Sequence, residues 1–248
     1  MSVRDLLTRT IWFFLTSARQ ILIPLLSFFY RENHRICPAF ILTALGIANV
    51  QHRPNFSTLD RIINSIVEFN GNVVECGTYK GHSLLGIADL LRKRGIDARV
   101  YGLDSFEGLP EPTEEDASGD GTFHKAAQKR FFGDASYRQI TEKLRRLGFS
   151  DRVVLLKGRF EDTLPSLKNE RFKLVHLDCD LYRSYKVCLN FLYDKVLQGG
   201  YIVFDEYDFS KSVYPGAQKA IDEFLKNKPE RIQRFEDIKA SRFFIVKL

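Results

Sequence analysis

The 248-residue chain has four cysteines and no CxxC pair, one methionine, one tryptophan, and no basic run long enough to follow a nucleic-acid backbone. Each shortage excludes something. Cys37, Cys76, Cys179 and Cys188 lack the spacing of a zinc site, and three of them lie in or beside apolar segments. A free thiol there acts as a small core residue, which points to a reducing, cytoplasmic compartment without disulfides. The net charge of +6 is modest for the length and too dispersed for a nucleic-acid partner. An uninterrupted membrane span is missing too. The apolar stretch "TIWFFLTSARQILIPLLSFFY", residues 10–30, has Arg19 at its centre and Pro24 after it. A central arginine costs roughly 2.5–3.5 kcal/mol on insertion, and the charge-free pieces beside it are too short to cross alone. Asp5 speaks against a secretory leader ending at 16–18.

What is present divides the chain in two. Residues 1–56 hold six arginines against Asp5 and Glu32, a balance of +4, and read as an apolar, basic, helical extension. Its plain reading is packing on the main domain or in a homodimer interface. The sharper reading is peripheral membrane contact through residues 1–30, with Trp12 as interfacial anchor. Residues 57–248 alternate between two patterns. Strands are expected at 72–76, 98–104, 151–158, 172–178 and 200–205. Helices are expected at 39–49, 57–71 with Ser57 or Thr58 as cap, 82–94, 136–147, 160–168, 182–197 and 214–227. "RIQRF" and "SRFFIVKL" read as a closing hairpin at the sheet edge. Such alternation implies a mostly parallel sheet with helices on both faces and ligands beyond the carboxyl ends of its strands. Gly77, Asp104, Gly158, Asp178 and Asp205 fall at or just past those ends.

"VVECGTYKGHS", residues 73–83, follows the first strand and opens a helix. It has the shape of a dinucleotide loop, but Glu75 stands where the first glycine would be. A carboxylate there repels a pyrophosphate and attracts the sulfonium and ammonium of S-adenosylmethionine. Gly77 and Gly81 let the backbone approach such a ligand; the plainer reading is a tight strand-to-helix turn. Asp104, 29 residues after Glu75, suits both ribose hydroxyls. Residues 105–123 carry six acidic residues, two prolines and no basic residue, and 105–124 reads as a lid loop. "DASGDG" mimics a calcium loop, but Ala127 occupies its twelfth position, where a glutamate is needed.

Two acidic pairs end apolar runs: Asp178 and Asp180 in "VHLDCDLYRSY", and Asp205 and Glu206 in "YIVFDEYD". In an extended backbone Asp178 and Asp180 point the same way and repel. Asp178, Asp205 and Glu206 suit an all-oxygen Mg²⁺ site, which leaves Asp180 as a base. The alternative is that Asp178 serves the cofactor and Asp180 caps the next helix.

Together with "GLDSFEGLPEP", "LLKGRFEDTLP" and "YPGAQKAIDEF", these segments resemble the TylF, or macrocin O-methyltransferase, family from about residue 58 to the carboxyl end. The resemblance implies a Rossmann-like class I methyltransferase fold, a seven-stranded sheet with a reversed final strand. It implies Mg²⁺-assisted methyl transfer from S-adenosylmethionine to a hydroxyl of a sugar or glycosylated small molecule. It also implies that Glu75, Gly77, Thr78, Tyr79, Gly81, Ser83, Asp104 and Asp178 contact the cofactor, with Ser105, Glu161 and Asp162 near the adenine. Asp178, Asp205 and Glu206 then match the metal ligands and Asp180 the base. The family's second acidic cluster is Asp-Asp-Tyr, whereas this chain has Asp205-Glu206-Tyr207. Two rivals are a sugar-nucleotide glycosyltransferase using "DCD", which leaves Glu75 and its loop unexplained, and a membrane-associated binding protein on the same scaffold with catalysis lost.

Overall fold

The computed structural model describes residues 21–36, 39–45, 47, 56–66, 68–207, 213–239 and 241–248. Trp12, Arg19 and Cys37 therefore lie outside the described residues. Six strands, β1 (Asn72–Cys76), β2 (Val100–Asp104), β3 (Val153–Lys157), β4 (Phe172–Leu177), β5 (Val196–Phe204) and β6 (Phe243–Val246), form one sheet in the order β3-β2-β1-β4-β5-β6. The first five run parallel and β6 is reversed against β5. This is the α/β architecture expected from the alternating pattern. Among the described residues eight α-helices accompany it: α1 (21–33), α2 (Ala39–Ala44), α3 (Phe56–Ser65), α4 (His82–Lys93), α5 (Tyr137–Leu147), α6 (Phe160–Thr163), α7 (Tyr182–Leu192) and α8 (Pro215–Leu225).

Strand alternation divides the core between two faces. Val73, Val100, Leu174 and Val203 pack against α1, α3, α4 and α5 through Tyr30, Ile63, Leu84 and Ile140. Val74, Cys76, Val175 and Ile202 pack on the other face against Leu189 of α7 and Ile221 of α8. Cys76, Cys179 and Cys188 are buried free thiols in this second core. The Tyr30 hydroxyl donates to Asp89 Oδ1 at 2.6 Å, and the Arg92 guanidinium lies 4.6 Å from its ring, so α1 is fastened to α4. The outer face of α1 exposes Ile21, Leu22, Leu25 and Phe28. Among the described residues no helix is long and apolar enough to cross a membrane.

The structure departs from the sequence expectations in a few places. Among the described residues a seventh strand is reduced to one bridge, Gln233 with Phe244; directly beyond it the chain turns, the Ile238 amide donating to the Phe235 carbonyl at 3.3 Å. β5 begins at Val196, because Gly199, at φ 68°, forms an irregularity inside the strand instead of preceding it. The expected helix over 160–168 tightens to a 3₁₀ turn at Leu164–Leu167, where Pro165 has no amide to donate. Thr58 does not cap α3. It lies in the third position, fully buried, and its hydroxyl accepts from the Arg242 amide at 2.8 Å.

Candidate active site

Leu103, Cys76, Leu177 and Phe204 are register partners across four strands. The residues that follow them, Asp104, Gly77, Asp178 and Asp205, therefore stand side by side along the carboxyl edge. The row is fixed by backbone bonds, Gly77 to Leu103, Asp178 to Cys76 and Asp205 to Leu177, each 2.9 Å. Parallel topology alone brings these four together from a stretch of 129 residues, 77–205, and this edge is where open α/β sheets bind ligands.

Asp180 reaches the same place by a different route from the one expected. The chain leaves extended geometry after Leu177, and the Leu181 amide donates to the Cys179 carbonyl at 2.7 Å around Asp180, whose φ is +62°. A left-handed residue in so tight a turn is strained, and strain of this kind gathers at functional sites. The turn places donor oxygens of Asp178, Asp180 and Glu206 within 4.8 Å of one another. Asp205 belongs to a separate grouping with His176 and Asp178. Nor does Asp180 cap α7. That amide partner is Asp116, whose Oδ1 accepts from the Tyr182 amide at 2.8 Å while Oδ2 accepts from the Thr113 amide at 2.8 Å.

Burial pushes the Asp178, Asp180 and Glu206 carboxyls well above the usual range, and mutual repulsion adds to it: Asp205 and Glu206 act on Asp178, Asp178 on Asp180, and Asp180 on Glu206. The Tyr214 hydroxyl hydrogen-bonds Asp180 and opposes part of this. The Tyr185 hydroxyl lies against Glu206 Oε2 and donates toward the Leu177 carbonyl at 2.9 Å. Asp205 behaves oppositely. Burial works against its charge, but His176 and Arg242 outweigh burial and hold it below the usual value.

Beneath the edge, Glu75 and His176 are register partners on neighbouring strands. Glu75 Oε1 lies 3.0 Å from His176 Nδ1, and His176 Nε2 lies 3.7 Å from Asp205 Oδ1, an ionic separation rather than a hydrogen bond. Burial opposes the imidazolium, yet Asp205 and Glu75 together raise His176 well above its ordinary value. Glu75 is fully buried: its Oε1 meets His176, and its Oε2 has no hydrogen-bond partner among the described residues.

A family model described as macrocin O-methyltransferase (TylF) matches residues 29–238. The chain belongs to the macrocin O-methyltransferase (TylF) family. This TylF-family chain is 28% identical over 198 residues to the demethyldecarbamoylnovobiocin O-methyltransferase of Streptomyces niveus, covering 78% of this chain and 71% of that protein. It is 26% identical over 200 residues to the mycinamicin III 3''-O-methyltransferase of Micromonospora griseorubida, covering 78% and 74%. Among solved structures, the O-methyltransferase NovP superposes with a TM-score of 0.66 at 24% identity, over 77% of this chain and 78% of that one. A calicheamicin methyltransferase gives 0.67 at 19% identity, over 91% of each. The two superpositions show the shared fold.

In this TylF-family chain the remaining sequence-predicted residues are placed as follows. Asp104 accepts from the Tyr79 amide at 2.8 Å and the Phe106 amide at 2.7 Å, so it shapes the loop as well as facing the edge; burial raises its carboxyl and these amides offset part of that. Thr78 is buried behind Gly102, Gly81 starts α4 at φ 74°, and Ser83 sits in that helix's first turn. Tyr79, at φ 47°, turns its hydroxyl to Asp134 at 2.7 Å. Ser105 closes a local turn, accepting from the Glu107 amide and donating to the Gly108 carbonyl, both at 3.1 Å. Glu161 of α6 pairs with Arg183 of α7 at 3.2 Å, and Asp162 follows it in α6. His176, Arg242, Tyr214 and Asp116 escaped the sequence reading. The one legible signal was polarity out of place: a histidine inside the apolar run of β4 and an arginine directly before β6.

Proposed function

We propose that this chain transfers the methyl group of S-adenosylmethionine to a hydroxyl of a sugar or glycosylated small molecule, with the Asp178–Asp180–Glu206 cluster as its reacting centre. The observation that carries this is the convergence of those carboxylates beside the Gly77 loop. Family membership supplies the class of reaction, and the named activities of the novobiocin and mycinamicin relatives supply the acceptor class. The cluster also fits Mg²⁺: its donors are all oxygen, and their repulsion persists although His176 and Arg242 stand nearby. Asp178, Asp205 and Glu206 would hold such an ion, which when bound would lower the pKa of an acceptor hydroxyl, and Asp180 beside them stays free as the base.

The chain's own residues do the rest. Asp180, which the tight turn brings to the other carboxylates, takes the acceptor's proton. Tyr214 and the tight turn fix its direction. Asp104 receives the ribose hydroxyls on the lone pairs its two amide bonds leave open. The 105–124 loop, anchored by Asp116 at the start of α7, shields the reacting centre from water. The outer face of α1 is where a second copy would pack.

The test is Asp180→Asn with methyl-labelled cofactor, Mg²⁺ and glycosylated extracts, read by mass spectrometry. Turnover falls at least about 100-fold while calorimetric cofactor affinity stays within about threefold. Undiminished turnover removes Asp180 from the reaction, and tight binding of a sugar nucleotide without S-adenosylmethionine binding would restore the glycosyltransferase alternative.

A further inference from the structure

Among the carboxylates after β4 and β5, Glu206 is the one glutamate, and its charge hangs on one more rotatable bond than those of Asp178, Asp180 and Asp205. A longer side chain has more freedom to lose before a cation can use it. Two of its neighbours are already fixed: Arg242 Nη2 donates to Asp205 Oδ2 at 2.7 Å, and Tyr214 hydrogen-bonds Asp180. For Glu206 the fixing group is Tyr185. This tyrosine of α7 is fully buried, its ring packed within the second core. Its hydroxyl lies against Glu206 Oε2 and 2.9 Å from the carbonyl oxygen of Leu177, the residue before Asp178. One phenol thus touches both chain segments that bear the carboxylates, the end of β4 through backbone and the segment after β5 through a side chain. The hydroxyl has a single hydrogen to give, and an ionised carboxylate is the stronger of its two acceptors.

We propose that Tyr185 is a positioning residue for the metal site: its hydroxyl sets the direction of the Glu206 carboxylate, so that a glutamate serves beside Asp178 and Asp205. Side-chain length and phenol are matched. An aspartate at 206 would stop about 1.5 Å, one carbon–carbon bond, short of the hydroxyl. This inference rests on the Mg²⁺ reading of the cluster and adds to it a residue outside the ligand set. Partners that orient a ligand in this way are worth about 10–100-fold in metal affinity. A tyrosine that only filled the core would change stability and leave the affinity of the folded protein as it was.

The experiment is a titration of the full chain with Mn²⁺ as the probe, followed by electron paramagnetic resonance and calorimetry, for the wild type, Tyr185→Phe, Glu206→Asp and the double variant. Tyr185→Phe keeps the ring and removes only the hydroxyl. It should weaken Mn²⁺ binding about 10–100-fold, and so should Glu206→Asp. The double variant should bind within about threefold of the weaker single variant, because both changes break the same contact. A folded Tyr185→Phe that loses less than about tenfold overturns the proposal, and so does a double variant weaker than that threefold limit. If Tyr185→Phe does not fold by circular dichroism, Glu206→Asp alone decides: a loss of about tenfold or more supports the tie to Tyr185, and a smaller loss overturns it. A wild type that binds no Mn²⁺ overturns the Mg²⁺ reading and this inference with it. Wild-type Mn²⁺ binding that Tyr185→Phe leaves intact overturns the inference and keeps the reading.

Discussion

Gly77 and Asp178 are in contact through their backbones: a side chain on Gly77 would overlap the carbonyl oxygen of Asp178. The loop after β1 and the loop after β4 are thereby locked together, one carrying the proposed cofactor segment and the other the carboxylates. The sequence suggested that Gly77 makes room for a ligand. The structure shows it making room for the neighbouring strand's backbone, at φ 95°.

Gly77→Ala is accordingly severe. It combines a left-handed backbone with a clash against backbone that has no freedom to yield, and should cost at least about 3 kcal/mol in urea unfolding and abolish methyl transfer. Gly81→Ala is the control. Its added carbon meets only the Ile140 side chain, at 3.2 Å, so the loss should be about 1–2 kcal/mol, set by φ. Equal losses at the two positions would contradict the account.

Asp116 is buried and bonded at both oxygens, and Gly216 of α8 leaves the space it occupies. Asp116→Ala strands the Tyr182 and Thr113 amides, and an unsatisfied buried donor costs about 1–3 kcal/mol. The 105–124 loop should then be cut faster by a protease with little specificity, whereas the β-sheet stays protected. A cleavage rate equal to the wild type's would show that the loop is held elsewhere.

The sheet edge was legible because physics at that scale is local. Apolar runs ending at Gly77, Asp104, Asp178 and Asp205 mark strand ends, and parallel topology puts strand ends on one side. The irregularity at Gly199 was not legible, since two adjacent glycines mark the start of a strand as readily as a kink within one. The site partners were less legible still. Arg242 meets Asp205 only through the antiparallel register of β6 on β5, and Asp116 meets Tyr182 across 66 residues of chain. Asp180 does converge with Asp178, as the extended reading of "LDCD" expects, but through a tight turn at φ +62° that this reading does not contain.

Glu75 and His176 form a buried pair, and their effects should not add. Glu75→Gln and His176→Asn each weaken the fold, but the double variant should lose less than the sum by about 0.5–3 kcal/mol, the range for contacting residues. Urea unfolding of the four proteins in the cycle measures this coupling. An additive result would mean that His176 is held by Asp205 alone.

Glu230 offers a pH test well away from the site. Its carboxylate is buried, accepts from the Tyr193 hydroxyl at 2.7 Å, and lies 3.3 Å from both Lys247 Nζ and the Leu248 amide. Burial opposes its charge, but Tyr193, the backbone amides and Lys247 prevail, and its folded-state pKa is lowered. The unfolded chain, with a glutamate pKa of about 4.3, therefore binds a proton first as pH falls. Stability from Glu230 is fully present above that value and is lost as pH drops toward the folded pKa. Glu230→Gln should thus be less stable than the wild type at neutral pH, by about 1–3 kcal/mol for a charged hydrogen-bond acceptor. The gap should narrow when urea unfolding is repeated at acid pH, because the wild-type carboxylate is then protonated too. A gap that stays constant down the acid limb would mean that Glu230 contributes through packing, and that its ties to Tyr193 and Lys247 carry no charge-dependent stability.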